Sequence, residues 1–289
     1  MTPFRGNPRS PWARFCQNRR AVVCLFLLCL ELLLVFLLPP LMGLEPNVSD
    51  LEAGFWAPPS PAHWLGTDDV GRDLLAWLLC GGQVSLLIGL SAAAISAALG
   101  VPLGLLAGYR RGAWEFWLMR LADIVQSFPS IILVLCLVAL VGPSALNIVL
   151  VLGLLGWTGI ARLVYGNTLT VRDQEYVVAA RALGASRGFL LWRNVLPNVV
   201  APVWCSIPLR AGRAILSESS LSFLGVGIRT PQASWGSLIQ AAADLTVLTS
   251  RPWAWIPPSL CIIFTVLCLA VIGDGLRDAL DPRSRRLPD

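Results

Sequence analysis

Lysine is absent from this 289-residue chain, histidine occurs once, and charged residues make up only 13% of it. Each scarcity excludes something. Without lysine there is no GxxxxGK[ST] phosphate-binding loop, so the chain has no site of that type for hydrolysing a nucleoside triphosphate. A soluble domain carries about a quarter charged residues. With half that share and 56% hydrophobic residues, the chain cannot cover a globule in polar groups, and its apolar side chains must face lipid. The eight cysteines (16, 24, 29, 80, 136, 205, 261 and 268) form no CxxC and have no histidine at ligand spacing. Most lie in apolar runs, where cysteine behaves as a small hydrophobe, so neither a disulfide framework nor a metal site is expected. The lone histidine, His63, has no partner readable from spacing. Chemistry at membrane depth needs paired carboxylates, a Ser/His pair or a metal cluster. Asp274 and Asp278 are paired by spacing, but they flank Arg277 at the end of an apolar run, where capping and a salt bridge are expected. No catalytic residue is assigned.

What the chain has instead is long apolar runs. About 20 apolar residues carry a helix across the hydrocarbon core. Six runs qualify: Ala21–Leu38, Val84–Tyr109, a third from near Trp114 to Val141, Ala145–Val164, Val199–Gly227 and Trp253–Gly273. The third carries Arg120 and Asp123 close to one membrane face. The expected fold class is an all-α membrane protein with six transmembrane helices. Leu38-Pro39-Pro40-Leu41 follows the first run where a cleavage site would need small residues, so that run is expected to be retained. The expected division is a cytoplasmic segment 1–20, a first helix 21–43, an external loop 44–82, a five-helix core 83–275 with a cytoplasmic loop 167–198, and a cytoplasmic tail 276–289. Prolines make the first half of the external loop irregular, and Asp68–Leu79 reads as a helix lying at the membrane surface.

Arginine placement orients the spans. Arg5, Arg9, Arg14, Arg19 and Arg20 precede the first run; Arg110, Arg111 and Arg120 follow the second. Arg162, Arg172, Arg181, Arg187 and Arg193 lie between the fourth and fifth, and Arg277, Arg283, Arg285 and Arg286 follow the sixth. These are 17 of the 22 arginines, and all share one side. The first loop on the other side is acidic, with Glu45, Asp50, Glu52, Asp68, Asp69 and Asp73. The positive-inside rule then puts both termini in the cytoplasm. The net charge of +5 is therefore a membrane pattern, and no nucleic acid is expected as a partner.

The most informative cytoplasmic stretch is Asp173–Asn198. Glu175–Leu183 reads as a short helix with an acid in its first turn, favourable against the helix dipole. Ala179 and Ala180 offer a low surface against which a partner can pack. Gly184 stands where a left-handed helix cap needs glycine. Leu196-Pro197 is read as the end of a second short helix.

With that spacing the stretch resembles the "EAA" loop of bacterial ABC importer permeases, although Val178 stands where the motif has glutamate. His63-Trp64-Leu65-Gly66-Thr67-Asp68-Asp69-Val70-Gly71-Arg72-Asp73 resembles the "LGTDxxGRD" signature of the C-type subunits of dipeptide, oligopeptide and nickel permeases. Leu221–Gly227 with Ser234-Trp235-Gly236 is similar to the "LSFLGLG…WG" segment of the same branch. Gly273–Pro282 is similar to its terminal segment. The resemblance implies a type I ABC importer permease fold and a multi-pass subunit of the bacterial inner membrane. Peptides, nickel or metal–metallophore chelates would be the cargo. Glu175, Ala179, Ala180, Gly184, Leu196 and Pro197 would couple the chain to its ATPase. Gly66, Thr67, Asp68, Gly71, Arg72 and Asp73 would form the external signature. The implied partners are a paralogous second permease, two ATP-binding subunits that use ATP and Mg, an extracytoplasmic binding protein and membrane lipids. No cofactor would be bound by this chain.

Within the fifth run stand Arg210 and Arg213, about 16 Å and about 21 Å beyond Val199 at 1.5 Å per residue. An arginine at that depth must face protein or a water-filled cavity. Their i, i+3 spacing puts both on one helix face. With Ser217 they are candidates to line the substrate pathway, where they would offset an anionic ligand. The alternative is pairing with Glu31 or with acids of the partner permease.

Overall fold

The computed structural model describes residues 11–280. The expected roles of Arg5, Arg9, Arg283, Arg285, Arg286 and the Asp281-Pro282 end of the terminal motif lie outside the described residues.

The described chain is almost entirely helical. After the short α1 (Pro11–Phe15) come α2 (Arg19–Met42), α3 (Leu74–Arg110), α4 (Ala113–Ser127), α5 (Ser130–Val141) and α6 (Ala145–Arg172). Then follow α7 (Glu175–Ala182), α8 (Arg187–Phe189), a π-helical turn Leu190–Val195 and α9 (Leu196–Phe223). Finally come α10 (Trp235–Ala241), α11 (Leu245–Ser250) and α12 (Pro252–Leu280). Five helices, α2, α3, α6, α9 (with its preceding turn) and α12, are long and apolar enough to cross a membrane. The bent pair α4–α5 is the sixth if its two parts count as one span.

Several boundaries differ from expectation, three of them for a clear local reason. The third span is broken by 91° between α4 and α5. Phe128 is extended there (φ −89°, ψ 143°) because the residue before a proline is pushed out of the helical region, and Pro129 starts a new helix. The expected surface helix Asp68–Leu79 does not exist as a separate element. Residues up to Asp73 form a folded loop, and Asp73 caps α3 by accepting from Leu75 N (2.7 Å) and Ala76 N (3.1 Å). From that cap α3 runs 37 residues, about 55 Å, so it extends beyond the hydrocarbon core. Pro39 and Pro40 lie in the last turn of α2, inside the expected first helix 21–43. Leu196-Pro197 begins α9 rather than ending a short helix, since proline in a first turn gives up no intrahelical bond.

The main seam joins α3 to α6. Gly100, Gly104 and Gly108 form one stripe along α3 at four-residue spacing, and α6 lies directly on it. A Cβ added at Gly104 would sit 2.4 Å from the carbonyl oxygen of Ala161; one at Gly100 or Gly108 would sit 2.6 Å from a Cβ of Ile160 or Thr168. Small residues of this kind let helix backbones approach closely in a membrane, where no hydrophobic drive presses helices together. Around this pair, α9 packs on α3 and α12, and α2 lies against α12 and α3.

The seam gives a test with opposite signs at two glycines of neighbouring helices. Gly104→Ala forces a backbone shift and is expected to cost about 1–3 kcal/mol. Gly166 in α6 has nothing within 4 Å of an added Cβ. Gly166→Ala therefore removes only a flexible helix residue and is expected to be neutral or stabilising by about 0.5–1 kcal/mol. Thermal unfolding of the detergent-purified protein checks both.

Candidate functional site

Three regions carry the residues singled out by sequence. The first is a cavity of about 550 Å³ walled by α3, α6, α9 and the α4–α5 elbow. Arg210, Arg213 and Ser217 all line it, together with Gln126 and Ser130 from either side of the elbow. Arg210 is half-buried and donates from Nη1 to the carbonyl of Gly156 at 3.3 Å. Its Nε is buried and has no hydrogen-bond partner. Gly159 makes room for it: a Cβ there would lie 3.0 Å from Arg210 Nη2. Arg213, one turn on, is exposed. The pairing with Glu31 weighed from sequence does not occur, because Glu31 accepts instead from Thr265 Oγ1 at 2.7 Å, joining α2 to α12.

Glu218, on the same helix, is fully buried and belongs to a different unit. Its two carboxylate oxygens accept from Ser85 Oγ of α3 at 3.0 Å and from Ser222 Oγ at 2.7 Å. Ser85 Oγ in turn accepts from Trp235 N (3.2 Å), and Ser222 Oγ from Ile228 N (3.0 Å). This knot was not anticipated. Its one signal in the sequence was a glutamate inside an apolar run followed by Ser219, Ser220 and Ser222; its partner Ser85, 133 residues away, left none.

The second region is α7. Its end is a two-bond left-handed cap: Gly184 (φ 86°) donates to Arg181 O, and Ala185 N to Ala180 O, both at 3.1 Å. Val177 is fully buried and anchors α7 in a cluster with Leu190, Val195 and Val199, against which Ala180 and Leu196 also pack. Glu175 and Pro197 are exposed. The low surface expected at both alanines is thus divided. Ala180 turns to the chain itself, while Ala179, Val178, Tyr176 and the 89%-exposed Leu183 form an outward apolar ridge.

The third region is the loop before α3, where the polar signature residues are engaged by the loop itself or by the start of α3. Thr67 Oγ1 donates to Gly54 O and accepts from Ala57 N, each at 2.8 Å. Asp68 accepts from Val70 N and Arg72 N, and from Arg72 Nε at 2.6 Å. The Arg72 guanidinium lies 3.8 Å from the centre of the Trp77 ring. Gly66 (φ 77°) passes so close to Ala57 that a Cβ would meet its carbonyl oxygen at 2.3 Å, and Gly71 (φ 80°) crosses Asp50 in the same way at 2.8 Å. His63, unpaired in the sequence reading, has two partners: Nδ1 lies 2.8 Å from Asp73 Oδ2, and Nε2 3.3 Å from Asp50 Oδ2. Among the described residues no group of three or more His, Cys, Asp or Glu is placed to hold a metal ion.

This arrangement can be compared with known proteins. The model of the family described as "binding-protein-dependent transport system inner membrane component" matches residues 100–286. The chain belongs to this family. It is a permease subunit of an ABC importer and a multi-pass membrane component with the type I permease fold. Among its relatives, the oligopeptide transport system permease protein of Bacillus subtilis is 36% identical over 94% of this chain and 88% of that protein. The dipeptide transport system permease protein of the same organism is 36% identical over 98% and 88%. The glutathione transport system permease protein of Pectobacterium atrosepticum is 37% identical over 95% and 91%.

In this permease the His63 clamp makes stability depend on pH. The hydrogen bond to Asp73 is the main cause that raises the His63 pKa above its ordinary value near 6.5, and the bond to Asp50 adds to it. The protonated clamp therefore contributes its full stability below about pH 6.5, and that contribution is lost as pH rises through the raised folded value. Between pH 5.5 and 8.5 the wild type is expected to lose thermal stability with rising pH, and His63→Gln to lose distinctly less. Melting curves of the two purified proteins across that range check the sign.

Proposed function

We propose that the chain forms one half of a peptide translocation pathway, with a paralogous permease as the other half. Two ATP-binding subunits, using ATP and Mg, would power it, and an extracytoplasmic binding protein would deliver the cargo. Both termini and α7 lie on the cytoplasmic side in this reading. The relatives' names, with oligopeptide, dipeptide and glutathione transport among them, support the cargo class. The observation that carries the reading is α7. It is an eight-residue helix anchored by one buried valine and closed by a left-handed cap, and it presents an apolar ridge outward that the chain itself does not cover. Such a ridge suits a groove on a partner that must push on it.

Two outcomes test this. Gly184→Val places a β-branched residue at φ 86°, a strain of about 1–2 kcal/mol at the cap alone. The co-expressed complex is expected to insert normally but to lose ligand-stimulated ATP hydrolysis and peptide uptake. Retention of both would remove α7 from the coupling role. For sidedness, Leu51 in the loop before α3 is 73% exposed and Cys16 is exposed at the other end of α2. In intact cells a membrane-impermeant thiol reagent should label Leu51→Cys at once and Cys16 only after permeabilisation; the reverse order would invert the topology.

A further inference from the structure

We infer that the cavity between α3, α6, α9 and the elbow is an anion subsite that takes a carboxylate of the cargo against Arg210 and Arg213. This rests on the reading of the chain as half a peptide pathway, and it names the charge class of what passes.

The cavity's volume of about 550 Å³ is that of a small-molecule site. Its only charged lining residues among those described are the two arginines, so this wall carries two positive charges and no countercharge. They stand three residues apart on one face, where like charges repel. A guanidinium has five N–H donors. Arg210 spends one on the Gly156 carbonyl, a weakly placed contact at 3.3 Å, and its buried Nε donor is unmatched. A buried donor without an acceptor is costly, which adds to the uncompensated positive character of this wall.

The chain's own acids of the neighbouring helices do not supply it. Glu31 is held by Thr265, and Glu218 by Ser85 and Ser222. On α4, Asp123 pairs with Arg162 and Glu115 accepts from the Tyr165 hydroxyl. The other polar lining groups used here, Gln126, Ser130 and Ser217, are neutral and can donate to an oxyanion. A carboxylate meets a guanidinium through two parallel hydrogen bonds, which fits a planar fork half-buried against α6 with space beside it. Gln126 and Ser130 lie on either side of the 91° break, so a bound carboxylate would touch both α9 and the elbow.

The experiment uses the assembled transporter with its binding protein in proteoliposomes, and three probes: Ala-Ala-Ala, Ala-Ala-Ala-amide and Ala-Glu-Ala. Arg213 is the residue to change because it is exposed in the chain and its loss leaves the fold's interior intact. Arg213→Gln is expected to lower Ala-Glu-Ala uptake about tenfold, equivalent to ~1.4 kcal/mol, relative to Ala-Ala-Ala-amide, and Arg213→Lys to restore most of it. If the carboxylate held is the peptide's C-terminus, Ala-Ala-Ala falls with Ala-Glu-Ala and only the amide is spared. If it is an acidic side chain, Ala-Glu-Ala falls alone. Equal loss for all three probes, no change in any, or loss of partner subunits from the purified Arg213→Gln complex would overturn the inference. A wild-type complex that hydrolyses ATP yet imports none of the three would instead overturn the peptide reading, and this inference with it.

Discussion

A carboxylate buried in a membrane-spanning helix is held only by what donates to it, and for Glu218 the donors are serine hydroxyls. Glu218 takes one from α3 and one from its own helix, and both serines also accept backbone N–H groups from the segment that follows α9. The result is a closed polar unit in which each hydroxyl gives to the carboxylate and receives from the backbone. There α3 meets the end of α9 and the start of α10, through bonds that span 133 and 150 residues of sequence. Breaking one partner of such a network leaves a buried polar group unsatisfied, which is why it fixes position so firmly. The cavity arginines sit on the same helix, so their placement against α3 and α6 is inherited from this knot.

Parts of the most distinctive sequence motifs close turns and helix ends. Leu183-Gly184 and Leu224-Gly225 are the same device at two sites. In each, the glycine takes a positive φ (86° and 78°), and paired backbone bonds close the end of the helix. One cap sets the end of α7, and the other turns the chain back onto Ser222. The outer-loop signature likewise spends its side chains on the loop and the start of α3, with Asp68 organising Arg72 and Asp73 capping α3. The residues that face open space, Arg213 and the ridge of α7, belong to no such closed unit.

The spans were legible because lipid imposes one rule on every residue, so apolar length alone found α2, α3, α6, α9 and α12. The elbow was less so: Phe128-Pro129 stood in plain view, yet a single apolar tally runs across it, and only backbone sterics reveal the break. The surface helix was misread because Leu74–Leu79 is helical in either arrangement; what decides is the cap at Asp73, a two-atom detail. Ala180 was placed outward because spacing gives a face but not which side the body lies on. Arg210 and Arg213 were found by their depth, and the exclusion of Glu31 as their partner needed coordinates. His63 looked solitary because Asp50 and Asp73 come to it from both directions of a loop that has no periodicity to read.

The glycine stripe of α3 has a mechanical consequence. Where Gly104 faces Ala161 there is no room for even a methyl group, since a Cβ there would lie 2.4 Å from the Ala161 carbonyl oxygen. Two long helices packed this closely transmit a displacement of one to the other. The helical ladder is interrupted at the Phe128-Pro129 elbow, at the π-helical turn Leu190–Val195 and at prolines within the spans, among them Pro102 of α3 and Pro202 and Pro208 of α9. That turn joins the region of α7 to the start of α9, and the elbow borders the cavity that α9 lines. In the proposed coupling role, a push on α7 would reach α9 through that turn.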